Sequence, residues 1–219
     1  MKLSHVLLFA TAALGVPNVK RQSPTVVGTI VNAANGLASA VEDSAVAIED
    51  AVEQILENGT EIVDEVLAAI ISDNLAEIFD AVKNATATIV SVTTGAVGGV
   101  LAGATGLTQA QINQLTAAVQ TLLDAISQIE ATLEITSGLP PLVLELVKDE
   151  IDELVGILAP LVLPVARFIA AIRTTTIAGV TANITGLNAV ASALGTVLQG
   201  LVASLGLDAL IPIIAILLP

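Results

Sequence analysis

The chain has 219 residues, 54% of them apolar and 13% charged, with seven Lys and Arg against twenty-one Asp and Glu, a net charge of −14. Such acidity argues against nucleic acid and anionic membrane surfaces as partners, because both are held by clustered Lys and Arg. Cysteine is absent, which excludes disulfides, so burial alone must hold whatever fold forms.

The chain opens with Met1-Lys2, then the apolar run Val6 to Ala10 and small residues through Gly15. A basic start, a short apolar core and a small-residue end make a signal peptide over 1–15, too short and wrongly flanked to span a membrane. Lys20-Arg21 lies just behind it and reads as a dibasic processing site closing a short propeptide, 16–21. The mature region is then 22–219. Removing the leader takes away His5, the single histidine, and leaves Lys83, Lys148, Arg167 and Arg173 as the four cations against twenty-one acids, a net of −17. Phe79 and Phe168 are the mature aromatics.

Apolar residues then recur at alternating steps of three and four, the period of one helix face. Val41, Ala45, Ile48, Val52 and Ile55 form such a face, opposite Glu42, Asp43, Glu49, Asp50, Glu53 and Glu57, and Asn58-Gly59 supplies the stop. A second acidic helix is expected from about Glu61 to Val82, with Ile62, Val66, Ile78 and Val82 inward. Residues 84–123 carry no charge. They predict a further helix and a flexible connection near Gly103–Gly106. Thr108 and Gln111 have capping-box spacing for the next helix. Its stripe, Ile112, Leu115, Val119, Leu122, Ile126, Ile129 and Leu133, repeats without a miss.

Ser137-Gly138 ends that helix and Pro140-Pro141 opens another, with Leu144, Val147, Ile151, Leu154 and Leu158 inward. Its outer face carries Glu145, Lys148, Asp149, Asp152 and Glu153. Pro160 and Pro164 are expected to break or kink the chain, since proline lacks the amide proton and crowds the preceding turn. A separate helix would start near Val165 and turn Phe168 and Ile172 inward. A last long one would run from Leu187 through Leu205. The expected fold is all-α: a bundle of about six to eight amphipathic helices, acidic over about 26–83 and apolar over about 107–219.

No catalytic or metal-binding residue can be nominated, and no cofactor. The mature region has neither His nor Cys for acid–base, nucleophilic or zinc chemistry, and no phosphate or calcium loop. A carboxylate pair could cut a sugar, but no Trp or Tyr is present to stack the rings. The acidic run from Asp149 to Glu153 reads as the solvated face of a helix. Asn58, Asn84 and Asn183 head N-x-Thr sequons and are glycosylation candidates in a secreted chain.

The dibasic leader, Gln22-Ser23-Pro24-Thr25 at the mature start, and Ala/Leu/Val/Thr-rich helices without cysteine resemble fungal secreted hydrophobic surface-binding and cell-wall galactomannoprotein sequences. The resemblance implies a helical bundle that adsorbs to apolar solids or holds lipid between its helices. The expected function is accordingly a secreted, non-enzymatic binder of lipid or a hydrophobic surface, extracellular or in the cell wall. Leu115, Val119, Leu122, Ile126, Val147, Ile151 and Phe168 are the candidate contacts. Two alternatives stand beside it: a structural or self-associating wall protein, and association with a membrane through the apolar C-terminal region. Integral insertion is not expected.

Overall fold

The computed structural model describes residues 25–58, 65–94, 104–177 and 183–218. The leader, Lys20 and Arg21, Ile62 and the first residue of the connection expected near Gly103–Gly106 lie outside the described residues. Those described form six α-helices and one 3-10 turn, with no strand: α1 Val26–Asn58, α2 Glu65–Thr94, α3 Gln109–Ser137, α4 Pro141–Ile177, α5 Thr185–Leu205, the turn Asp208–Leu210 and α6 Ile211–Leu217. The protein is an all-α helical bundle.

Local chemistry sets the helix ends. The Thr25 hydroxyl accepts from the Gly28 amide at 3.1 Å and starts α1. At α3 the capping box forms in full: Thr108 Oγ1 accepts from the Gln111 amide at 3.3 Å, and the Thr108 amide donates to Gln111 Oε1 at 2.9 Å. Such a cap satisfies two of the amide donors that every helix start leaves open. Gly138 donates back to the Ile135 carbonyl, and three residues suffice to turn the chain into α4. Gly206 closes α5 in the left-handed region at φ 69°, where its amide reaches the Val202 carbonyl at 3.0 Å.

Two boundaries differ from expectation. α2 runs twelve residues past Val82, to Thr94, because Ala85, Ile89 and Thr93 continue its buried face without any charge to mark it. The Thr86 and Thr93 hydroxyls donate to the Val82 and Ile89 carbonyls, a local bond that lets hydroxyl residues sit inside a helix. The second difference is larger. Pro160 and Pro164 do not break the chain, and no separate helix starts near Val165: α4 is continuous over 37 residues. Pro160 leaves the Gly156 carbonyl without its helical donor, but both residues are exposed, so water can take that place. Leu158, Leu161, Val162, Val165 and Phe168 are all at most 2% exposed and hold the helix from the other side.

α1 packs on both α2 and α3, α2 on α4, and α3 on α5, while α6 fills the space between α4 and α5. Side-chain neighbours give the directions. Ser44 of α1 meets Glu77 of α2, and Asn32 faces Ala81 to Thr88, so these two helices are antiparallel. Gly28 to Asn35 of α1 lie along Gln114 to Thr121 of α3, and Leu56 lies near Ile135, a parallel pair. Ser72 of α2 meets Glu150 of α4, again parallel. Gly186 sits against Thr116 and Gly200 against Glu130, which makes α5 parallel to α3 and allows the close approach that a Cβ at Gly200 would obstruct at 3.1 Å. Thus α1, α3 and α5 point one way, and α2 and α4 the other.

One contiguous apolar core runs through all six helices, joining the acidic and apolar stretches of the chain. Ile and Leu supply most of it, and each such side chain contributes roughly 1.5–3 kcal/mol of burial.

Candidate apolar-binding surface

The helix directions have an electrostatic result. α1 carries acids only from Glu42 to Glu57, α2 from Glu65 to Asp80, α3 from Asp124 to Glu134, and α4 from Glu145 to Glu153, while Asp208 follows α5. In antiparallel neighbours a late stretch of one helix lies beside an early stretch of the next. Every described acid therefore falls in the same half of the bundle. The opposite half holds Lys83, Arg167 and Arg173 and is otherwise coated with Asn, Gln, Thr, Ser, Ala and Gly.

The large aliphatic side chains left in water collect in the acidic half as well. Leu56, Val66, Ile70, Ile135, Leu142 and Leu146 are 38–70% exposed near the end where α1 and α3 finish and α2 and α4 begin. Val66 was expected inward; Leu67 and Ile71 take the core positions instead and turn Val66 outward, 70% exposed. On α4, Val143 similarly replaces Leu144 in the core, and Leu144 is only partly buried. These surface aliphatics were missed because each lies one position off a perfect stripe.

Between α2 and α4 a hollow of about 300 Å³ is lined by Glu65, Ala68, Ala69, Ser72 and Leu146. Ser72 donates from its hydroxyl to Glu150 Oε1 at 2.7 Å. Glu150 Oε2 is buried and has no hydrogen-bond partner among the described residues. Within the acidic run 149–153, Glu150 thus departs from the solvated face that its neighbours Asp149, Asp152 and Glu153 do form. On the other side of the bundle, Glu130 and Glu134 of α3 face Ser204 and Leu205 of α5 across a second hollow. Burial, and then the Glu134 charge, hold the Glu130 carboxyl above the usual carboxylate range.

The apolar contacts nominated from the sequence lie elsewhere. Leu115, Val119, Leu122, Ile126, Val147 and Phe168 are at most 2% exposed and belong to the core; Ile151 is partly buried against it. In this conformation they meet one another. Asn84 is exposed on α2. Asn183 is exposed too, and its Oδ1 accepts from the Thr185 amide at 2.9 Å, an Asx turn just ahead of α5. Asn58 ends α1.

Among the described residues no group of three His, Cys, Asp or Glu is placed to hold a metal ion. Residues 141–175 of α4 and the whole of α5 are long and apolar enough to cross a membrane, and half of the most apolar window of the first and a third of that of the second is buried inside the bundle.

Fold and surface together define a helical bundle with an acidic, aliphatic-studded end and a weakly cationic end without described acids. Comparison with protein-family models, with curated proteins and with solved structures finds no match.

Proposed function

We propose that this is a secreted, non-enzymatic protein that binds an apolar partner, a lipid or a hydrophobic surface, outside the cell or in its wall. The observation that carries the reading is the gathering of Leu56, Val66, Ile70, Ile135, Leu142 and Leu146 at one end of a bundle whose core is otherwise well filled. A monomeric soluble protein rarely leaves aliphatics together unless something covers them. The acids around them keep that end soluble until a partner arrives. Contact through this end replaces the earlier picture in which the Leu115–Ile126 stripe opens to a ligand, since that stripe is core. The signal peptide and dibasic site support export, and α4 and α5 are read as core helices of a soluble bundle.

The test is depletion of the purified protein onto a hydrophobic solid. Wild type should leave solution, whereas Leu142→Gln with Leu146→Gln should stay behind at least about tenfold more, with unchanged helicity, because two exposed contacts of roughly 1 kcal/mol or more each are lost. A wild type that remains wholly in solution and yields no lipid on organic extraction would hand the case to the structural, self-associating alternative.

A further inference from the structure

We propose that the groove between the first halves of α2 and α4 docks a cationic amphipathic helix. The inference rests on the apolar-partner reading and names the class of partner for one part of that surface. The groove has an aliphatic border: Leu142 and Leu146 lie one turn apart on the same face of α4, 67% and 53% exposed, and Leu146 lines the hollow together with Ala68 and Ala69 of α2. Spacing by four residues along one helix is the pattern that receives the i, i+3, i+4 and i+7 anchors of a helix laid into a groove.

The rim decides what kind of helix. Glu65 lines the hollow, and Glu145 and Asp149 flank Leu146 on the exposed surface of α4. No described acid lies in the far half of the bundle, so the negative potential is focused on this end rather than averaged over the molecule. An anionic partner would bring like charge to these carboxylates, whereas a cationic one meets complementary charge. The second and independent observation is Glu150. Its Oε1 is occupied by Ser72, which also lines the hollow, while its Oε2 is buried with no donor among the described residues. A buried carboxylate oxygen without a donor is costly, and an ammonium or guanidinium group supplies what it lacks through a charge-assisted hydrogen bond. One partner meets both demands: a helix with an aliphatic face and a Lys or Arg that reaches past Leu146 to Glu150.

The experiment uses the full mature chain and two labelled model helices, one built of Leu and Lys, the other of Leu and Glu in the same pattern. The Leu/Lys helix should bind at least about tenfold more tightly, and the advantage should shrink as salt is added. Glu150→Gln and Leu146→Gln should each weaken it several-fold, while Glu42→Gln on α1 changes it little; circular dichroism confirms that each variant keeps its helicity. Should Glu150→Gln unfold, Glu145→Gln on the exposed rim serves in its place. Equal binding of the two helices, or equal loss from Glu42→Gln and Glu150→Gln, overturns the groove as the site. If the protein still depletes onto a hydrophobic solid in that case, the apolar-partner reading survives alone. Failure of both helices and of the solid overturns the two together.

Discussion

Glu130 shows how a single side chain can work against its own fold. Its carboxyl lies against Gly200 of α5 and one turn from Glu134, and its pKa is raised by burial first and by that neighbouring charge second. A carboxyl whose folded-state pKa is raised binds its proton more tightly in the native state, so stability falls as pH rises through that value. Below the unfolded-state value both states are protonated and the penalty disappears. Glu130→Gln, close in shape to the protonated acid, should therefore raise the thermal midpoint near about pH 7 and match wild type near about pH 3. A variant less stable than wild type at neutral pH would show that the ionised form is the favoured one. At this scale the sequence was partly legible. The capping pair Thr108 and Gln111 could be read from spacing, because a capping box depends on four consecutive residues. The exposed Leu142 and Leu146, and the half-buried Glu150, could not, because one residue of rotation about a helix axis separates core from surface.

For the helices themselves, the apolar period was a sound guide along α1 and α3. Every position of the α3 stripe from Ile112 to Leu133 is buried, as is every position of the α1 stripe from Val41 to Ile55. At Pro160 and Pro164 the surrounding apolar pattern outweighs the local tendency of proline to end a helix. Buried residues on both sides of the prolines hold the helix through the defect, since the packing of five large side chains outweighs two missing hydrogen bonds. Pro160→Ala makes this measurable. It restores a donor to the Gly156 carbonyl at an exposed position, and should stabilise the bundle by about 1–3 kcal/mol in denaturant unfolding. A loss of stability would mean that the chain needs the proline, as it would if α4 were two helices meeting at a corner. The end of α2 was missed for the opposite reason: Ala, Thr and Val turns carry no charge contrast, so amphipathicity has nothing to display.

Across the whole molecule, the segregation of charge was present in the sequence but hidden by chain order. Acids come late in α1, early in α2, late in α3 and early in α4, an alternation that looks scattered until each helix is given a direction. Only the up-and-down path converts it into a polar object. That path also gives the protein a large permanent electric dipole along its axis, with the weakly cationic pole at the start of α1 and the negative pole at the start of α4. In a uniform field such a rod turns, and on a positively charged resin it should settle end-on instead of lying flat. Limited proteolysis on the resin can check this, with the starts of α1 and α5 remaining open to attack while the α3–α4 turn is shielded; shielding of both ends alike would show that the molecule lies on its side. Asn84 and Asn183 both belong to the free pole, so sugars attached there would project away from the resin like the head of a pin, and the negative tip would stay bare.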